Sequence, residues 1–359
     1  DTRATSASTP VAYLPAVAGM TIPVAVKAPG IVVLWAGRLA SLAAYLALAW
    51  TAVRTAARFR WTLTIAALVP LNLTLAGSVS PDGLTIAALL CMVSIWTRVE
   101  DGEDPPLGWM VGVFLLLALA KPPYFLALAV FPASLLAGRT AARLRSVAWA
   151  TGALAIGLFS SLINSSQNYR AVTFSLIGSS DYQPEVQAGR LLGDLPGFVS
   201  AATQTWFLEI GDYVPEWFRQ LGSWESGLPA GLAWVLLAVM VVAAAHLDSA
   251  DYLGSTGFTR GLVGMGTVGM LFVLYGSSYV YFSDRIDFQG IGIQMARYSV
   301  PLTALALIGW VPRWLVDRLP AQQARREKAA VGSVALAVGV SLVFSVVTWL
   351  VTGDEIPFG

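Results

Sequence analysis

Cysteine and histidine are nearly missing from this chain of 359 residues, which holds one of each, Cys91 and His246. A disulfide framework, a thiol relay and an ordinary zinc site each need several such side chains at set spacings, so all three are excluded. Charge is scarce too. Charged residues make up 12% of the chain, against roughly 25% in an ordinary soluble domain, while 56% of residues are hydrophobic. No single core can hide that much apolar surface, and a membrane span needs only about 20 apolar residues. A net charge of +1 gives no overall field to gather nucleic acid, which leaves the local placement of charge as the informative quantity.

What is abundant is apolar sequence, in Leu-, Ala- and Val-rich runs near residues 31–53, 63–79, 83–97, 109–120, 122–138, 147–163, 230–246, 261–280, 299–312 and 331–352. In lipid only helices and closed barrels satisfy the backbone, and the period-2 alternation of a barrel is missing. The chain therefore reads as an all-α, polytopic transmembrane helical bundle. Residues 1–30 are Thr/Ser/Ala/Pro-rich with a short amphipathic piece around Tyr13, Leu14 and Met20, and show no signal peptide. The missing initiator methionine predicts that the chain starts inside a longer polypeptide.

Orientation follows from Lys and Arg in short loops, which gather on the cytoplasmic side. Arg54, Arg58 and Arg60 place the end of the first run inside. Counting crossings also puts Arg139, Arg143 and Arg145 inside, and later Arg313, Arg318, Arg325, Arg326 and Lys328. The loop from Arg98 to Pro106 is mostly acidic and adds little. This count needs residues 109–138 to be a hairpin rather than one helix. Lys121-Pro122-Pro123 supplies the break, because proline disfavours the α conformation in the residue before it. The arm before Lys121 then reaches only about 18 Å at 1.5 Å per residue, well short of a roughly 30 Å hydrocarbon core, which leaves Lys121 within the membrane's depth.

The resulting organisation is an extracytoplasmic segment (1–30), N-terminal transmembrane helices (31–163), an extracytoplasmic loop region (164–229), C-terminal transmembrane helices (230–352) and an extracytoplasmic tail (353–359). The loop region carries Asn168-Tyr169-Arg170, Gln183-Pro184-Glu185-Val186-Gln187, Trp206, Trp217 and Trp224, too aromatic for a disordered linker, and predicts a layer of short surface helices.

Each candidate site residue has a plain reading beside a functional one. Ser80-Pro81-Asp82 has the makings of a helix start, with Ser capping, Pro at the first turn and Asp at the positive end of the dipole. Asp82 would equally serve an outward cavity as acid, base or hydroxyl-binding carboxylate. Lys121 either snorkels to the headgroups or holds an ammonium near the phosphate of a lipid-linked substrate. Arg297, in Gln294-Met295-Ala296-Arg297-Tyr298, is an interfacial anchor or a two-point ligand for phosphate or carboxylate, and Arg285 shares its outward position against the cytoplasmic bias. Arg38 pairs with an acid or snorkels. His246, beside Asp248, reads as a helix-end cap. The 33 glycines fit close helix packing and form no Walker or dinucleotide pattern.

These residues fall into an ordered set: Tyr13-Leu14-Pro15, Arg38-Leu39, Pro70 with Ser80-Pro81-Asp82, Ala120-Lys121-Pro122-Pro123-Tyr124, Pro184-Glu185-Val186-Gln187, Leu221-Gly222-Ser223-Trp224, Leu228-Pro229, and Arg297-Tyr298 with Pro301. The series resembles a bacterial membrane-protein family labelled domain of unknown function 2142, over nearly the whole chain. The resemblance implies a fold similar to the GT-C glycosyltransferases, which take sugars from polyprenyl-phosphate carriers on the outer membrane face, and a place in cell-envelope polysaccharide assembly. Two features depart from the family pattern. No first span with an Asp-Glu-containing outer loop precedes Asp1, and the usual Gln-Gly-Arg-Tyr is Gln294-Met295-Ala296-Arg297-Tyr298 here.

The leading expectation is therefore a multi-pass glycosyltransferase of the bacterial cytoplasmic membrane. It would move a sugar from a polyprenyl-phosphate-linked donor to a cell-envelope glycan acceptor on the extracytoplasmic face. Lys121 and Arg297 are the leaving-group cations and Asp82 the carboxylate, with Tyr13, Arg38, Ser80, Gln187, Trp206, Trp224, Gln294 and Tyr298 lining the substrate site. The cofactor is open: there is no metal motif, and a divalent cation stays possible in principle. Partners are the lipid bilayer, donor and acceptor, with no nucleic acid. A transporter or flippase of a lipid-linked glycan or small anion is the rival, because transporters also use broken helices and intramembrane charge. An interaction subunit of an envelope complex is the non-catalytic alternative.

Overall fold

The structure, a computed structural model, describes residues 9–164, 184–219, 229–282, 288, 295–318, 328–340 and 343. Every regular element among the described residues is helical. Among them, four helices are long and apolar enough to cross a membrane: α2 (Gly30–Thr55), α5 (Asp82–Glu100), α11 (Ala230–Leu247) and the 257–280 part of α13 (Gly257–Phe282). The others in order are α1 (Leu14–Ala25), α3 (Arg60–Ala67), α4 (Pro70–Ala76), α6 (Leu107–Ala120), α7 (Val130–Ser134), α8 (Ala141–Asn164), α9 (Pro184–Gly193), α10 (Leu195–Arg219), α12 (Ser249–Gly254), α14 (Met295–Ser299), α15 (Thr303–Trp310), α16 (Arg313–Arg318) and α17 (Lys328–Val340).

The bundle is built around α5, whose side chains are buried almost throughout, while α2 beside it faces mostly outward. Helices α2, α4, α6 and α8 pack on α5, and so does the 3-10 turn Val300–Leu302 from the far end of the chain. Gly83 lets α4 approach: a Cβ there would stand 2.7 Å from the Ala76 Cα, so any larger residue pushes the two helices apart. Helix α1 lies along α2. Its lone polar side chain is Thr21, so it is apolar on every face, with Val17, Ile22 and Val24 exposed.

Two of the apolar runs are broken by proline, and the breaks are repaired locally. The run at 63–79 is two short helices, not one, because Pro70 forces Val69 into an extended conformation (ψ 126°). The carbonyls freed at the end of α3 are taken up by side chains: Asn72 Nδ2 donates to Ala66 O at 2.7 Å and Tyr45 Oη to Ala67 O at 2.7 Å. The second break is at Lys121, also extended (φ −152°, ψ 116°). There the chain turns back on itself, since the rings of Phe114 before the break and Phe131 after it lie 4.8 Å apart. Residues 109–138 are thus a hairpin. The region 184–219 differs from the expectation of short surface helices, because α10 runs for 25 residues and packs on α4, α11, α13 and α14.

The end of the bundle away from Asp82 carries Arg58, Arg98, Arg143 and Arg145. The acids of the 98–106 loop stand among them: Arg143 Nη2 is 2.9 Å from Glu100, Arg98 is 3.0 Å from Glu103, and Arg58 and Arg145 pair with Asp101 and Asp104. At the same end α3 is capped from a distant part of the chain. Asp248 accepts the backbone N–H of Trp61 (3.2 Å) and Thr62 (2.6 Å), and Asp251 accepts that of Phe59 (2.8 Å), which sits in the left-handed region at φ 61°. Arg260 in turn caps α15 through Ile308 O (3.0 Å) and Val311 O, with its cation 4.9 Å from the Tyr252 ring. His246 is buried in the last turn of α11, and its Nε2 has no hydrogen-bond partner among the described residues, so that nitrogen is not a cap.

Burial raises the Asp248 carboxyl to about 6, against the lowering effect of the Thr62 and Trp61 hydrogen bonds. A carboxyl raised in the folded state favours folding most when protonated, so this contribution is present below about pH 4 and is lost as pH rises through 6. Thermal unfolding of the detergent-solubilised protein between pH 4 and 7.5 checks this. Asp248→Asn, which keeps an acceptor but cannot titrate, should flatten the decline in Tm over that interval.

Candidate functional site

At the opposite end, three residues far apart in sequence meet on one carboxylate. Asp82 begins α5 and is 2% exposed. Its Oδ1 receives the Lys121 Nζ, and its Oδ2 accepts both Arg297 Nε at 2.9 Å and Arg297 Nη2 at 2.6 Å. Each element has a local reason for delivering its residue there. Pro81 and the α5 N-terminus fix Asp82, where the helix dipole favours an anion. The proline pair ends α6 at Lys121, and the short α14 presents Arg297 before the 3-10 turn at Val300–Leu302.

The surroundings hold this arrangement in place. The Lys121 ammonium also sits 4.6 Å from the centroid of the Tyr298 ring, a cation–π contact. Tyr124, just past the proline pair, donates its hydroxyl to Tyr298 O at 2.6 Å and so ties the two cation-bearing segments together. Ser80 Oγ lies 3.4 Å from both the Asp82 Oδ2 and the Asp82 N–H, with Ser78 Oγ 2.9 Å from it. Arg38 spends its Nε on Gly77 O at 2.8 Å and rests over Trp35, so it braces the loop leading into Asp82.

Formal charges in the cluster are one negative and two positive, a surplus of +1. Asp82 is fully used and hidden, and the Lys121 side chain is 14% exposed, but that of Arg297 remains 38% exposed. The cluster can therefore receive an anion from the Arg297 side.

Of the remaining expected residues, Tyr13 ends the 3-10 turn Pro10–Tyr13, which packs against α6, and Thr9 just before that turn donates its hydroxyl to Leu119 O close to the Lys121 break. Gln187 is buried in α9, which packs on α13. Trp206 sits on α10 and lines an apolar cavity. Trp224, Gln294 and Arg285 lie outside the described residues, as do Asn168-Tyr169-Arg170 and Gln183. Two residues next to the expected ones were overlooked. Tyr124 was in view as the residue after the proline pair, and Ser299, whose Oγ is 3.2 Å from Trp217 Nε1, follows Arg297-Tyr298 directly. Among the described residues no cluster of three or more metal-ligating side chains forms.

Residues 1–306 match a family model described as "Predicted membrane protein (DUF2142)". The chain belongs to that family. Neither curated proteins nor solved structures give a match. Family membership accords with the apolar helices. The matched region also contains all three members of the Asp82–Lys121–Arg297 cluster.

Removing one partner of a buried ion pair leaves a charge uncompensated, at a cost of about 3–5 kcal/mol. Asp82→Ala should lose stability of that order, with Lys121 and Arg297 left repelling each other. Adding Lys121→Met to Asp82→Ala should recover part of the loss, which denaturation of the single and double variants measures as a coupling energy.

Proposed function

We propose that this protein is a membrane glycosyltransferase that takes a sugar from a polyprenyl-phosphate-linked donor. It acts at the extracytoplasmic face of the bacterial cytoplasmic membrane and passes the sugar to a cell-envelope glycan. The observation that carries the reading is the surplus positive charge of the Asp82–Lys121–Arg297 cluster, part of it exposed on Arg297, at the bundle end away from the arginine-rich loops. The gathering of Arg58, Arg98, Arg143 and Arg145 at the other end supports an extracytoplasmic reading of this one. The GT-C character rests on the resemblance set out above.

In this mechanism the carrier phosphate docks against the exposed edge of Arg297, where a planar guanidinium offers paired donors. As the glycosidic C–O bond breaks, negative charge grows on the departing phosphate. Fixed cations nearby stabilise that charge with little reorganisation. Asp82 has a different task from the base that its residue type suggested. Both of its oxygens already accept charge-assisted hydrogen bonds, so a proton taken there would dismantle the site. It is a positioning residue that holds Lys121 and Arg297 in register. Deprotonation of the acceptor hydroxyl falls to a residue other than these three.

One observation favours the rival, transport of a lipid-linked glycan or small anion. The helix break at Lys121 meets a second discontinuity, the 3-10 turn between α14 and α15, and paired discontinuous helices are a feature of transporter sites. Incubation of the protein in nanodiscs with labelled polyprenyl-phosphate sugars and membrane acceptors separates the two. Transfer should occur and should fall by about 100-fold or more in Arg297→Ala and Lys121→Ala, the scale of losing one preorganised charge-stabilising group. Full turnover in both variants removes the site assignment. No transfer from any donor, with flux of the same lipid across proteoliposomes, establishes the transport reading instead.

A further inference from the structure

An apolar cavity of about 330 Å³ lies among α10, α11, α13 and α15, walled by Trp206, Trp217, Trp234, Leu271, Ala306 and Trp310. Its few hydroxyls are already committed: Thr267 Oγ1 donates to Val263 O (2.9 Å), Thr303 Oγ1 to Val300 O (2.6 Å), and Ser299 Oγ is 3.2 Å from Trp217 Nε1. The wall thus has almost nothing left for a polar guest or for water, and an apolar cavity of this kind takes hydrocarbon.

Its position says which hydrocarbon. The Ser299–Trp217 end is two residues from Arg297, and the Trp310 end is the far end of α15, roughly 16 Å away at helical rise. Among the described residues helix α11 packs closely on neither α13 nor α15, and the cavity occupies the space between them. Trp234 and Trp310, at 38% and 44% exposed, stand at its edge. A second apolar hollow of about 320 Å³ shares Trp206, Leu271 and Trp310 and extends the furrow toward Tyr275. Both α11 and α13 are long and apolar enough to cross a membrane, so a guest that enters the cavity between them comes from lipid.

We infer that the cavity houses the isoprenoid chain of the carrier lipid, which enters sideways between α11 and α13 while its phosphate meets Arg297. This rests on the reading of the Asp82–Lys121–Arg297 cluster as an anionic headgroup site, and it adds the place and route of the tail. One molecule spanning both sites accounts for a cation and a dry, tryptophan-walled furrow lying two residues apart.

The test uses the full chain in nanodiscs with a polyprenyl phosphate carrying a photoactivatable diazirine on its distal isoprene units. Label should enter peptides of α10, α11 and α15. Ala306→Trp, which fills the furrow from α15, and Val241→Trp, which fills it from α11, should each cut that labelling at least tenfold. Binding of a water-soluble short-chain sugar phosphate, which has no tail to place, should change less than twofold in both. Label elsewhere, with short-chain binding intact, overturns the tail site and leaves the headgroup site standing. Failure of the short-chain probe to bind wild type overturns the headgroup reading itself. Equal labelling by a diazirine-bearing phosphatidylglycerol overturns the assignment to the carrier lipid, because the furrow would then be filled by bulk lipid.

Discussion

A single carboxylate organises this bundle. Asp82, hidden at the start of the most buried helix, is the common counterion of Lys121 and Arg297. A buried anion without partners is costly, and so is a lysine or arginine at membrane depth. Asp82, the most deeply buried of the three, is tolerable because the two cations pair with it. The cluster therefore joins the proline-broken hairpin, the central helix and the α14 turn, which the chain's connectivity leaves far apart.

The fold meets the demand that lipid makes on the backbone in two ways. Where helices are continuous, each satisfies its own groups. Where proline interrupts them, polar side chains from neighbouring helices take over, as Asn72 and Tyr45 do at the end of α3 and Tyr124 does at the Tyr298 carbonyl. The irregular backbone accordingly lies where protein surrounds it. The same irregularity lets residues from different spans approach one point, so the breaks and the cluster share one origin.

Much of this could be read from the residues because it is governed by short-range rules. Apolar runs gave the helices, and the effect of proline on its preceding residue gave the turn at Lys121. Membership of the membrane-protein family was legible in the order of the motifs. The partnership of Asp82 with Arg297 was not, since 215 residues separate them and no periodicity reports a contact at that distance. The trans-cap of α3 by Asp248 was hidden for the same reason, across 186 residues. The length of α10 escaped notice because Glu209, Asp212, Pro215 and Glu216 interrupt its apolar pattern. The acidic loop after α5 looked uninformative by charge counting, although its carboxylates are the partners of the arginines around it.

The strap from Arg38 to the Gly77 carbonyl ties the cluster to its surroundings. It issues from α2, which packs on α1, α4 and α5 along one side and leaves side chains such as Trp35, Leu39 and Trp50 exposed along the other. Any leaning of α2 draws on the loop that carries Ser80 and Asp82. Bilayer thickness, which a spanning helix accommodates in part by tilting, thereby bears on the spacing of the ion pairs at Asp82.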